Sequence, residues 1–455
     1  MKSSSVARVL VLFIIAVCQF TIVLAQDLVI PAEEFAQRRA AVLEQMSDSS
    51  VAIFHAALLK IRSNDVEYEY RQANNLYYLT GITDHNVALV LVKGGVEIDS
   101  VRSNEVLFIP KSNPRMASVL GKTISMERVK RELGFEVVKG YSDFGKLVAK
   151  FLTGRKELLY SFPVEFLYDS VSHQRYFIAQ KAKKSLGEKF DGLKVKSPNK
   201  ILAGLRRIKS PAELRLLQKA IDITGEAHLA AMRAAKPELH EYQLEAIIEY
   251  VFKFGGAEYP AFPSIVGSGP NSTILHHWKN RRQLAKGDLV VVDIGAEFQG
   301  YSADVTRTIP ANGKFTKEQK EIYEIVLRAQ KEAIAAVKPG VPFRDVHKVA
   351  KKIIKEAGYA KYFNHSTSHY LGLDTHDVGD RGPLQPGMVI TVEPGIYISE
   401  GTEIDKAYWN IGVRIEDDVL VTEDGYQLLS HKAPREIADI EKIMKEESKL
   451  FSILD

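Results

Sequence analysis

Three kinds of hydrophobic pattern follow one another along this 455-residue chain. The first is the run Val9 to Leu24, preceded by Lys2 and Arg8 and closed by Val23-Leu24-Ala25 before Gln26. A basic start, an apolar middle and a small-residue end have the order of a secretory signal peptide cut after Ala25. The run is interrupted by Gln19 and Thr21 and falls short of the roughly 20 residues needed to span a bilayer, so no stable membrane anchor is expected after cleavage. The second pattern, from about residue 30 to 195, sets short apolar runs at Val51 to His55, Val87 to Val92 and Val106 to Pro110 between helical segments, which predicts an α/β domain. Within it, the aromatic-rich stretch Tyr70 to Gly81 reads as a packed strand with its flanking turn, and Lys181 to Lys184 as a solvated face.

The third pattern repeats. Ser210-Pro211-Ala212-Glu213 is a capping box with proline at the first helical position, so a helix begins there and runs to about Ala234. Leu244, Ile247, Ile248, Val251 and Phe252 keep helical spacing until Gly255-Gly256. Further on, Thr316 and Gln319 cap a helix carrying Ile322, Ile325, Val326 and Ala329. A second helix carries Val346, Val349, Ile353 and Ile354 before Gly358. Each helix pair precedes a strand cluster, and Gly287-Asp288-Leu289-Val290-Val291-Val292-Asp293-Ile294-Gly295 aligns without a gap on the segment one hundred residues later, Gly387 to Gly395. The same offset superposes His276 on His376. A duplicated helix-helix-strand-strand unit brings acids to matching places on a pseudo-twofold axis. The expected organisation is a signal peptide over 1–25, an α/β domain over 26–200 and a duplicated α/β (α+β) domain over 201–455.

Charge and cysteine content narrow the chemistry. Lys plus Arg number 61 against 57 Asp plus Glu, too even a balance for a protein that grips a phosphate backbone, so no nucleic-acid partner is expected. Cys18 is the single cysteine and leaves with the signal peptide, which removes a disulfide framework, a thiol nucleophile and cysteine-ligated zinc together. Any metal must be held by His, Asp and Glu.

Those residue types gather in the repeat. Asp293 closes a run of valines, where a carboxylate is costly unless a positive charge meets it. The segment Asp293 to Asp304 reads as a hairpin turning at Gln299-Gly300, which sets Thr306 opposite Asp293 and Asp304 diagonal to it. In the second copy Arg414 and Glu416 share a strand face that can meet Glu393, so Asp293, Asp304, Glu393 and Glu416 converge. Between the acid pairs, His365, His369 and His376 fall within twelve residues, a density that points to metal binding or proton transfer. The spacing of His365 and His369 imitates a helical zinc pair, but no Glu follows His365 and Gly372 disfavours a long helix. Four carboxylates are balanced by two divalent ions, an arrangement that activates water and polarises a carbonyl in metal-assisted hydrolysis.

At these residues the sequence resembles the pita-bread metallopeptidases of the aminopeptidase P type, with prolidase as the nearest relative. The matching segments are Ile265 to His276, Val291 to Pro310, His369 to Gly379, Thr391 to Tyr397 and Gly412 to Asp418, with Tyr70 to Gly81 in the first domain. The resemblance implies a pita-bread catalytic domain in which Asp293, Asp304, His369, Glu393 and Glu416 are the metal ligands, Asp304 and Glu416 bridging two ions. It implies that His276, His365 and His376 position substrate and stabilise the tetrahedral intermediate, and that Glu393 also moves the proton. Arg414 is assigned to orienting Glu416, and Tyr397 to lining the site. The implied substrate is a peptide with proline at its second position. The 23-residue interval from Glu393 to Glu416 is the short one typical of aminopeptidase P, and some prolidases carry an insertion there. Two further readings stay open, a dipeptidase for Xaa-Pro and a non-catalytic peptide-binding member of the fold. Manganese is the first choice of ion, with cobalt, zinc and iron as alternatives, since an oxygen-rich donor set suits all four. Self-association into a homo-oligomer is a further expectation from the resemblance.

Overall fold

A six-stranded mixed sheet organises the first domain, in the order Val138–Gly140, Val101–Ile109, Ala88–Ile98, Ser50–His55, Glu157–Tyr160, Lys194–Lys196. The structure is a computed structural model that describes residues 28–111, 115, 117, 118, 121–161 and 170–448, residues 170–179 in backbone only. The signal peptide assigned to 1–25 lies outside the described residues. Among those described, no helix is long and apolar enough to cross a membrane. The three runs read as strands from their hydrophobicity are the three central strands of this sheet, buried on both faces.

Tyr70 to Gly81 departs from the expected strand. Residues Asn74–Thr80 form a helix that ends in a left-handed Gly81 and buries Leu76, Leu79 and Thr80, a spacing of three and four that the β propensity of the tyrosines masks. Just before it, Arg71 reaches the second domain. Its Nε donates to Glu297 Oε2 at 2.7 Å and its Nη2 to the Leu373 carbonyl at 2.6 Å. Asn74 donates to the same carbonyl at 3.1 Å. A single apolar cluster continues the joint, with Leu76 and Leu79 packed among Leu216, Tyr301, Leu371 and Leu373.

The second domain shows the duplication. Helices Pro211–Ala234 and Glu241–Phe254 precede strand Leu289–Ile294, and helices Lys317–Ala335 and Phe343–Glu356 precede strand Val389–Val392. Both capping boxes read from the sequence, at Ser210 and Thr316, are formed. Each strand opens an antiparallel hairpin that breaks near its acid. In the first copy Asp293 pairs with Thr306, as the turn at Gln299-Gly300 requires, and both turn residues have the positive φ of a type I′ turn, 47° and 80°. Beyond the break Glu297 pairs with Ser302, in the same register. Gly295 lies at the break because a Cβ there would sit 1.9 Å from the Ala303 carbonyl oxygen. Its bare backbone lets the strand carrying Asp304 approach. In the second copy Val392 pairs with Asp417 and Gly395 with Arg414, which carries Glu393 opposite Glu416 across the gap. Both breaks therefore place a carboxylate pair where ladder hydrogen bonding gives out, and both face the same cleft.

Candidate metal centre

Nine of the ten side chains singled out from the sequence line one cleft of about 880 Å³: His276, Asp293, Asp304, His365, His369, His376, Glu393, Arg414 and Glu416; the tenth, Tyr397, does not line it but is buried behind it, its hydroxyl against His365 and Arg414. Asp293, Asp304, Arg414 and Glu416 are no more than 8% exposed. Donor atoms of Asp304, His369 and Glu416 lie within 4.8 Å of one another. His369 Nε2 faces Asp304 Oδ2 at 3.4 Å and Glu393 Oε1 at 3.6 Å. With the proton on Nδ1, His369 donates to the Tyr370 carbonyl at 3.0 Å. The Nε2 lone pair is then turned toward two carboxylate oxygens, an arrangement that calls for a cation between them.

Unpartnered oxygens give the same answer. Asp293 Oδ1, Glu416 Oε1 and Asp418 Oδ1 are buried without a hydrogen-bond partner, although buried carboxylate oxygens are normally satisfied. Burial, and then repulsion from Asp293, raises the Asp304 carboxyl well above the usual range. Burial and the neighbouring Asp304 do the same to Glu416, and burial pushes Glu393 up. Such a cluster ionises fully only when cations join it, so metal binding here releases protons. The imidazole and carboxylate donors fit one or two divalent ions without selecting among manganese, cobalt, zinc and iron.

Around the donors stands a scaffold of hydrogen bonds. Thr306 Oγ1 donates to Glu416 Oε2 at 2.7 Å and accepts from Arg414 Nε at 3.2 Å. Thr391 Oγ1 accepts from the His369 backbone N–H at 3.2 Å. The Asp304 N–H donates to Asp418 Oδ2 at 3.2 Å. Arg414 differs from its expected role. Its Nη2 donates to Asp293 Oδ2 at 2.6 Å, so it orients Asp293 directly and reaches Glu416 only through Thr306. Arg414 and Glu416 do share a strand face, but the hydroxyl of Thr306 fills the space between them and the guanidinium extends across to the first copy. Burial works against the charge, yet Tyr397 and Asp293 hold Arg414 firmly protonated.

His365 and His376 are arranged as neutral groups. His365 Nδ1 contacts the Ser366 carbonyl at 2.9 Å and its Nε2 the Tyr397 hydroxyl at 3.0 Å, while Arg414 Nη1 donates to that hydroxyl at 2.9 Å. Burial and the Arg414 charge push His365 down to about 4. His376 stacks on His369 with ring centroids 4.1 Å apart, and burial with the nearby His369 and His276 lowers it to about 4. The segment 365–369 is not helical, in keeping with the rejected helical zinc pair. Asp377, next to His376, is buried between Arg206 at 2.5 Å and Lys209 at 3.1 Å, and these cations hold its carboxyl low despite burial. His276 is exposed at the cleft mouth. Thr306, Thr391 and the Arg206–Lys209 pair escaped the sequence reading. Only Thr306 had a signal, its register opposite Asp293.

Comparison with known proteins accords with this geometry. Residues 215–423 match Metallopeptidase family M24, and residues 35–160 match the aminopeptidase P N-terminal domain. The Xaa-Pro aminopeptidase of Haemophilus influenzae is 36% identical over 438 residues, covering 91% of this chain and 98% of that protein. The chain belongs to metallopeptidase family M24. Another M24 relative, the Xaa-Pro dipeptidase of Pyrococcus horikoshii, is 41% identical over 247 residues, which cover 53% of this chain. Among solved structures, Pseudomonas aeruginosa aminopeptidase PepP superposes with a TM-score of 0.81 at 33% identity, covering 91% of this chain and 98% of that one. Membership of M24 accounts for the two-domain α/β architecture, the duplicated catalytic unit and a site built for divalent metal.

Proposed function

We propose that this M24 member is an exported dinuclear-metal exopeptidase that hydrolyses the N-terminal Xaa-Pro bond of peptides. The observation that carries this reading is the convergence of Asp293, Asp304, His369, Glu393 and Glu416 in one cleft, with the His369 Nε2 against oxygens of Asp304 and Glu393 and with buried oxygens of Asp293 and Glu416 left unpartnered. Similarity to Xaa-Pro aminopeptidases over both domains supports the choice of substrate. These five residues would hold the ions, manganese being the first assignment. Bound divalent ions lower the pKa of water and polarise the scissile carbonyl.

This chain's own residues do the rest. Glu393, ionised once the ions are bound, would take a proton from the attacking water and pass it to the proline nitrogen as the bond breaks. The leaving group needs that proton, because an unprotonated amide anion is too basic to depart. His376, held below the usual imidazole range, offers a hydrogen bond to substrate oxygen without adding charge, while His365, its ring nitrogens on the Ser366 carbonyl and the Tyr397 hydroxyl, positions the substrate by the face of its ring. His276 closes on the peptide from the mouth. Arg414 fixes Asp293, and Thr306 fixes Glu416. Phe262, Ile265 and Leu275 give the cleft the apolar wall a proline ring packs against.

The experiment is steady-state cleavage of a matched pair, an Xaa-Pro dipeptide and the same sequence extended to Xaa-Pro-Yaa. It uses manganese-loaded protein whose intact mass fixes its first residue. The expected outcome is preference for the tripeptide, released as Xaa and Pro-Yaa, by a chain that begins at Gln26. Strict preference for the dipeptide would assign the same centre to a prolidase, and a mass that includes residues 1–25 would contradict cleavage after Ala25.

A further inference from the structure

Among the described residues, Trp278 is the one large aromatic side chain that lines the metal cleft and yet stays mostly in water, 63% exposed. Its surroundings are the opposite. His277 Nε2 meets the fully buried Glu241 Oε2 at 3.0 Å, and the same carboxylate accepts from the Arg282 N–H at 3.0 Å, the Ser268 N–H at 2.8 Å and Asn271 Nδ2 at 2.9 Å. Asn280, wholly buried with φ 48°, accepts from the Val266 N–H at 3.1 Å and donates to the Ser264 carbonyl at 2.7 Å. One carboxylate and one amide thus pin the loop on both sides of Trp278. The alternation is complete: His276 and Trp278 belong to the cleft and His277 points back into the protein.

The direction of the substrate follows from the depth of the centre. Asp293, Asp304 and Glu416 lie at the buried end, so the scissile bond and the single residue before it occupy the inner part of the cleft. Everything after proline must run outward, since an exopeptidase accepts chains that continue beyond its site. The groups at the mouth therefore meet the third residue of the peptide. A fixed indole in water offers a large apolar area at little entropic cost when a second apolar surface covers it.

We infer that Trp278 is the platform that reads the side chain of the residue after proline, selecting bulky apolar or aromatic residues there. The inference rests on the proposed Xaa-Pro aminopeptidase activity. Its test is the ratio of kcat/KM for Xaa-Pro-Phe over Xaa-Pro-Gly, measured with the manganese-loaded full chain and its Trp278→Ala and Trp278→Phe variants. The expected wild-type ratio is about tenfold, falling to within about twofold in Trp278→Ala and recovering most of its value in Trp278→Phe. A second reading needs no turnover. Trp409 is the only other tryptophan, so adding the product Pro-Phe shifts tryptophan emission in the wild type and not in Trp278→Ala. A ratio that is flat in the wild type, or unchanged in Trp278→Ala, overturns the inference. Absence of any Xaa-Pro cleavage by the wild type together with a Trp278-dependent emission shift would instead remove the proposed reaction and leave the peptide platform standing.

Discussion

Asp304→Asn is expected to lose both bound ions and roughly a thousandfold or more in kcat/KM while keeping its fold. The substitution preserves volume and leaves the backbone N–H bonded to Asp418. What it removes is one negative oxygen from a group that already holds Glu416 and His369 donors within 4.8 Å. An amide offers a neutral oxygen on one side and an N–H on the other, and the N–H repels a cation. Metal-free stability should move the opposite way. Burial and repulsion from Asp293 disfavour an ionised Asp304, so the chelated variant should melt no lower than chelated wild type. Added manganese should then raise the melting temperature of the wild type only, because a ligand stabilises the state that binds it. Elemental analysis and paired melting curves separate these effects, and unchanged turnover in this variant would remove the mechanism.

Arg414→Met is expected to be the most destabilising single change at the site in chelated protein, by about 3–5 kcal/mol. Arg414 is 3% exposed and is bonded to Asp293, Thr306 and Tyr397. Its removal leaves Asp293 with neither oxygen partnered among these contacts, in a cleft already crowded with acids. Divalent ions supply the missing positive charge, so reloading should recover most of the lost melting temperature. Activity should stay about ten- to a hundredfold down, because Asp293 is no longer aimed. Equal melting of the chelated variant and chelated wild type would show that Asp293 does not depend on this partner.

The legible parts of the fold were those written in short-range chemistry. The capping boxes at Ser210 and Thr316 named two helix starts, and the turn at Gln299-Gly300 fixed a register that carried Asp293 to Thr306. The hundred-residue offset then set Glu393 on Asp293, and the strand face read for Arg414 and Glu416 brought Glu416 to meet it. Partners brought together only by tertiary folding left no such mark. Arg206 and Lys209 come from the start of the second domain to hold Asp377, more than 160 positions away. Arg414 looked like a partner for Glu416 because the two are neighbours on one strand, but its true partner belongs to the other copy. At Asn74–Thr80, tyrosines that favour strands were overruled by a helical burial pattern and by Arg71 and Asn74 docking on the second domain.

The most direct test of the central claim is to strip the protein with a chelator, return Mn²⁺ in steps, and measure bound metal and Xaa-Pro-Yaa cleavage on the same samples. The expected result is no turnover in the stripped protein, full turnover at two ions per chain, and Xaa and Pro-Yaa as the products. Full turnover without bound metal, or two ions bound with the Xaa-Pro bond intact, would contradict it.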